Sequence, residues 1–199
     1  RRFSPFNRFP PPASRFPLSW IMRSYDLDVV VTRGAGIESR HRVHAAVVDA
    51  SDRLVGTARE PETVTMWRSC AKPFQVMPLI ASGGFDEVGW SDDELALASA
   101  SHGGEPEHVA IAESMLRDLG LEEGDLACGP HEPLSPRGAR IIRDAGARPT
   151  RLHNNCSGKH AGFLAVCRAR DVPIEGYRLE SHPVQQLVLA GVGAAAEGP

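Results

Sequence analysis

Apolar residues alternate along the early part of the chain and recur at helical spacing through most of the rest. Residues 28–32 and 42–49 are valine-rich runs on either side of Gly34-Ala35-Gly36, which predicts a hairpin opening an antiparallel sheet. A weaker strand is predicted over residues 54–59. Helices follow over 73–82, over 92–100 behind a Ser91-Asp92-Asp93-Glu94 capping box, and over 106–119, where Gly120 ends the run. A Gly/Pro-rich passage over 128–138 precedes helical stretches at 139–145, 157–170 and 184–192. Strands first and helices afterwards imply α+β layers rather than alternating βαβ units. The closing strands of such a sheet are not visible, so the fold is expected to be incomplete at its C-terminus.

Residues 1–21 break the pattern. Prolines stand at positions 5, 10, 11, 12 and 17 among scattered arginines and phenylalanines, without the apolar core of a secretory signal. This segment is expected to be a disordered N-terminal extension ahead of Met22, leaving 22–199 as one domain.

Composition then narrows the function. With 42% hydrophobic and 24% charged residues, 199 residues suffice to bury a core. A net charge of -3 offers no basic field for nucleic acid or an anionic membrane, and no apolar run approaches bilayer length. A small solute is the better partner. Cys70, Cys128, Cys156 and Cys167 form no C-x-x-C pair, and Cys156 and Cys167 on one helix would sit about 16 Å apart. All four read as thiols of a cytoplasmic protein.

Lys72 and Lys159 are the two lysines among 22 basic residues. Arginine stays charged, whereas a desolvated lysine can lose its proton, so lysine retained in an arginine-filled background hints at chemistry needing a neutral amine. Long stems also serve packing, which would explain both lysines without chemistry. Lys72 follows Ser69 by three residues, with Pro73 in the first helical turn, placing the pair on one face near a helix N-terminus. A serine needs such an amine to take its proton. Alone, Ser-x-x-Lys is a common pattern. In Asn154-Asn155-Cys156-Ser157-Gly158-Lys159-His160, Asn155 or Ser157 could cap a helix, and Cys156 and Lys159 would share a face. That pair could hold zinc, or be a buried thiol beside a snorkelling lysine. Ser101-His102-Gly103-Gly104-Glu105 is a turn between helices carrying a hydroxyl, an imidazole and a carboxylate. His41 and His44 would face opposite sides of a strand, with Glu38, Arg40 and Arg42 as possible site rim. Cys128-Gly-Pro-His131 reads as a turn first and a site wall second.

Taken in order, Val31-Thr-Arg-Gly34, Glu38 to His44, Arg68-Ser-Cys-Ala-Lys-Pro-Phe-Gln75, Ser101 to Pro106, Cys128 to His131, Asn154 to Gly162 and His182-Pro-Val-Gln185 resemble the L-asparaginase II family, the Rhizobium-type inducible asparaginases. The resemblance runs from about Leu27 to Gln185. It implies a serine β-lactamase-like and glutaminase-like fold, hydrolysis of L-asparagine to aspartate and ammonia, and a homodimer. It matches Ser69 and Lys72 to one Ser-Lys pair and Ser101 to the serine of a second, whose lysine lies past residue 199. It likewise makes Cys156 and Lys159 two ligands of a Zn2+ site that organises the pocket, with a further cysteine past the end.

Arg68, His102 and Glu105 complement the charges of an α-carboxylate and α-amine. One rival is a β-lactamase or penicillin-binding acyl transferase, whose Ser-Asp-Asn and Lys-Thr-Gly motifs do not occur here. The other is an inactive, zinc-stabilised binding domain.

Overall fold

The computed structural model describes residues 23–197, so the extension expected over 1–21 lies outside the described residues. Two compact units divide at Thr65 and Met66.

The first unit is all strand. β2 (Asp28–Arg33) and β3 (Gly36–Arg42) form an antiparallel hairpin in which Asp28 faces Arg42 and Arg33 faces Gly36. A tight turn closes it, with Gly34 at φ +60°, a conformation glycine adopts without Cβ strain. β4 (Ala45–Val48) pairs antiparallel with β5 (Leu54–Ala58), which also carries β1 (Arg23–Tyr25) in parallel. The expected partner of the first strand, 42–49, is therefore corrected. The hairpin returns along the polar run from Gly36, and 45–48 belongs to another sheet. Ile37 to Arg42 pairs by backbone in an exposed hairpin that needs no apolar alternation, so a valine-rich pattern does not mark it. Glu38 and Arg40, read as possible site rim, form local ion pairs with Arg33 and with Asp28, the latter at 3.1 Å. His41 lies in β3 beside Ser39, and His44 lies past it, hydrogen-bonded to Thr63 Oγ1 at 2.8 Å.

The second unit is helical. Its helices are α1 (Lys72–Ala81), α2 (Gly84–Val88), α3 (Asp92–Ser99), α4 (Pro106–Asp118), α5 (Pro136–Asp144), α6 (Ser157–Ala169) and α7 (Pro183–Glu197). Every residue of α6 from Ala161 to Cys167 is buried, as befits a helix apolar on all sides. α1, α2, α3, α4 and α7 pack around it, contributing Leu79, Leu97, Met115 and Val184 to the core.

The predicted capping box is present, with Ser91 accepting from Asp93 N and Glu94 accepting from Ser91 N at 2.8 Å. Gly120, at φ +68°, follows the end of α4. α5 starts three residues before its predicted start because Ser135 caps it, accepting from Arg137 N and Gly138 N, with Pro136 in the first turn. α7 runs past its predicted end through Gly193 and the following alanines. α2 was not predicted.

The architecture is α+β, with small antiparallel and mixed sheets. Among the described residues no helix is long and apolar enough to cross a membrane. All four cysteines are free: Cys70 exposed, Cys156 half-buried, Cys128 and Cys167 buried.

Candidate active site

Ser69 sits in a 3₁₀ turn, Arg68–Ala71, that runs directly into α1. Arg68 opens the turn at φ +53°, a left-handed conformation that costs a residue with a Cβ about 1 kcal/mol or more. Ser69 is exposed, and among the described residues its hydroxyl makes no hydrogen bond. Lys72, the first residue of α1, is 3% exposed. Its Nζ lies 2.9 Å from Ala100 O, 2.9 Å from Ser101 Oγ and 3.0 Å from Asn155 O.

The lysine thus contacts Ser101 rather than Ser69. Ser101, whose own lysine the resemblance puts past residue 199, is contacted here by Lys72. The i, i+3 rule requires both residues to belong to one regular helix, and Ser69 lies in a tighter turn opened by a left-handed residue.

Ser101 follows α3 on the loop to α4 and is itself exposed, so an outward hydroxyl rests on a buried amine. Burial pushes the Lys72 ammonium below the ordinary lysine range, the nearby Cys156 pulls it back up, and Lys159 pushes it down. A neutral Lys72 has two N–H donors and one lone pair. In the structure Nζ donates to Ala100 O, Asn155 O and Ser101 Oγ alike, and only the loss of one of its protons would turn a lone pair toward the Ser101 hydroxyl. Asn155 Nδ2 donates to Ser101 Oγ from its other side at 3.4 Å.

His102 locks this loop in place. Its backbone N–H reaches Asn155 O at 3.4 Å. Gly104 N donates to its Nδ1 at 3.1 Å, so the proton sits on Nε2 and is donated to Ser157 Oγ at 2.8 Å. Ser157 passes its own proton to Leu152 O at 3.1 Å. Burial, then the neighbouring His108 and Lys72, lower the imidazole to a pKa of about 4. An unfolded His102, near 6.5, takes up a proton that the native ring refuses. The neutral ring's contribution, about 3 kcal/mol, is therefore complete above pH 6.5 and lost as pH falls toward 4. Thermal melts from pH 7 to 4 should show Tm falling less steeply in His102→Gln than in the wild type. Equal slopes would remove His102 from this account.

Of the residues matched by charge to an amino acid, His102 and Glu105 are engaged by the protein itself. Glu105 accepts from Ser135 Oγ and, at 2.7 Å, from Arg137. Ser135 first and Arg137 second hold its carboxyl below the usual range. Arg68 is exposed. Trp67 and Ala71, flanking the Ser69 turn, line a groove of about 420 Å³ with Gln75, Arg178, Glu180 and Gln185.

Cys156 is the N-cap of α6, its N–H bonded to Asn154 Oδ1 at 2.9 Å, so neither Asn155 nor Ser157 performs the capping expected of them. The Lys159 ammonium lies 5.4 Å from the centre of the Phe163 ring. Among the described residues no group of three or more His, Cys, Asp or Glu side chains could hold a metal. Burial pushes Cys128 up to about 11, the wrong direction for a thiolate ligand. Cys156 and Lys159 alone therefore fall short of the four ligands of a structural zinc site.

The sequence reading named Asn155 only as a possible cap and did not include Tyr177. Tyr177 accepts from Ala127 N at 2.7 Å and bonds His160 Nδ1 at 2.7 Å, tying α6 to the 126–128 segment. Nothing local to Tyr177 announces this, since its partners lie 50 and 17 residues away.

An outward serine hydroxyl seated on a buried lysine amine is equipment for nucleophilic attack on an acyl group. The L-asparaginase II family model matches residues 29–199, and the chain belongs to that family. Membership points to an asparagine amidohydrolase. A comparison with curated proteins finds no match.

Proposed function

We propose that this protein hydrolyses L-asparagine to L-aspartate and ammonia through an acyl-enzyme formed on Ser101, with Lys72 as the base. The observation that carries this reading is the 2.9 Å contact between a buried Lys72 Nζ and Ser101 Oγ. The Ser101 O–H bond breaks as its proton moves to the Nζ lone pair, and Oγ bonds to the side-chain amide carbon of the substrate. The tetrahedral intermediate collapses as Lys72 returns that proton to the departing nitrogen, so ammonia leaves and an ester remains. Water, deprotonated by the again neutral Lys72, attacks the ester carbon, and the C–Oγ bond breaks as Lys72 returns that proton to Ser101 Oγ, which releases aspartate and restores both groups.

Ser69 and Arg68 lie in sequence between Trp67 and Ala71, which line the groove, and do not bond the lysine. We assign Arg68 to the substrate α-carboxylate and Ser69 to a proton-relay or positioning role at its side. Arg178 and Glu180 lend the groove both signs of charge, as an amino-acid zwitterion requires. Zn2+ belongs to this proposal only as a group that Cys156 and Lys159 would help to hold, and no step passes through it. A β-lactamase-like layering, a homodimer and a cytoplasmic setting complete the reading.

Rapid quenching of the intact protein with L-asparagine, followed by peptide mass spectrometry, tests it. The aspartyl ester is expected on the peptide carrying Ser101. An ester on the Ser69 peptide, or none alongside steady ammonia release, overturns the assignment.

A further inference from the structure

Helices α4 and α5 are joined at their N-terminal ends. Arg137 of α5 reaches Glu105 and Glu107 at 2.7 Å each, and Ser135 N donates to Gly103 O at 2.9 Å. The join leaves no room for side chains. A Cβ on Gly138 would stand 2.9 Å from Gly104 O, and one on Gly104 would stand 2.8 Å from His153 O. Close backbone contact therefore fixes where the two helices start.

Between them lies a cleft of about 290 Å³, which neither Lys72, Ser101 nor Asn155 lines. Its walls include Val109 and Ala110 of α4 and Ile141 and Ile142 of α5. Neither isoleucine belongs to the core, and Ile141 keeps 40% of its surface exposed, so α5 presents its apolar pair to the cleft. Two polar side chains share the lining. Glu113 is exposed, and its carboxylate has no hydrogen-bond or ion-pair partner among the described residues. His153 Nδ1 accepts from Thr150 N at 3.1 Å, which puts the ring proton on Nε2, so the imidazole brings no charge. An apolar cleft with one unpaired carboxylate complements a cation with an apolar body. Its volume lies at the lower end of small-molecule pockets, roughly 300–1,000 Å³, and excludes a helix, which is about 10 Å across.

We propose that this cleft binds a small primary ammonium compound with a branched aliphatic chain. The ammonium pairs with Glu113, and the chain lies against Val109, Ile141 and Ile142. Binding removes water from the apolar walls, and the lower local dielectric strengthens the ion pair relative to one in bulk water.

The probe is 3-methylbutylammonium, with 3-methylbutan-1-ol as its uncharged match, each titrated into the intact isotope-labelled protein at neutral pH and followed by amide NMR. The ammonium is expected to shift the amides of residues 106–113 and 138–142 and to saturate them with a Kd of about 1 mM. The alcohol should bind about threefold or more weakly, and Glu113→Gln should weaken the ammonium by a similar factor while leaving the alcohol unchanged. Ala110→Leu, at an exposed position of α4, fills the cleft and should abolish binding of both.

No saturable shift at about twentyfold that Kd overturns the proposal, as do shifts that map away from the cleft. Alcohol binding equal to that of the ammonium, or Glu113→Gln binding the ammonium as tightly as the wild type, removes the recognition of charge and the proposal with it. Sedimentation showing a dimer that Ala110→Leu disrupts would assign the cleft to a second copy of the chain and overturn it too. Should Ala110→Leu not fold, the alcohol and Glu113→Gln decide.

Discussion

Lys72→Met is expected to reduce ammonia release from L-asparagine by about 10²- to 10⁴-fold while leaving the protein folded. Methionine matches the lysine stem in length and apolar character, so the 3% exposed site stays filled. What disappears is the amine that takes the Ser101 proton. The carbonyls of Ala100 and Asn155 lose a donor, which costs stability, but the variant no longer desolvates an amine, and the two effects oppose one another. Lys72→Arg separates charge from basicity. Arginine keeps the positive charge and cannot give it up, so its activity should fall at least as far. A guanidinium is also too bulky for an amine held between two carbonyls and a hydroxyl. The measurement is the initial rate of ammonia release together with a melt of each variant. Retention of a tenth of the wild-type rate by either variant would remove Lys72 from the proton path.

Gly158→Ala should strongly destabilise the second unit. A Cβ at Gly158 would stand 2.6 Å from Leu97 O and 2.8 Å from Leu97 C, the backbone of α3, which cannot rotate away as a side-chain tip can. The start of α6 would have to shift off α3. Such overpacking costs about 3 kcal/mol, against about 1 kcal/mol gained from alanine's better helix propensity. The shift would also move Asn155, three residues upstream, away from Lys72 and Ser101, so activity should fall with stability. Gly162→Ala in the same helix is the control. Its Cβ would meet Ala98 Cβ at 3.5 Å, an ordinary contact, so propensity prevails and the protein should be unchanged or up to about 1 kcal/mol more stable. Urea midpoints of the two variants should move in different directions. A Gly158→Ala midpoint equal to the wild type would show that the α3–α6 crossing relaxes without strain.

The helical half of the chain was readable because its signals are local. Ser91 and Glu94 cap α3 within four residues, and Gly120 stops α4 by its own φ of +68°. The hairpin is not legible in the apolar pattern because its pairing depends on backbone rather than side chains, and α5 begins at the Ser135-Pro136 cap rather than at the alanine where its apolar spacing begins.

The candidate site divides in the same way. Ser69, Lys72, Ser101, Cys156 and Lys159 stood out by residue type and neighbourhood, the two lysines because they stand in an arginine-filled background. Their partnerships were not local. Lys72 bonds residues 28, 29 and 83 positions away, and His102 bonds Ser157 across 55. Asn155 acts through its carbonyl as much as its amide, and a main-chain group carries no sequence signal. By itself the sequence determined most of the helices, the residues with chemistry and the family resemblance, because these depend on side-chain type and short spacing. Which serine the lysine holds, and that Asn155 touches both, was decided only when α1, the loop after α3 and the start of α6 packed together. Distance across the fold, unlike spacing along the chain, is set by the core that α6 organises.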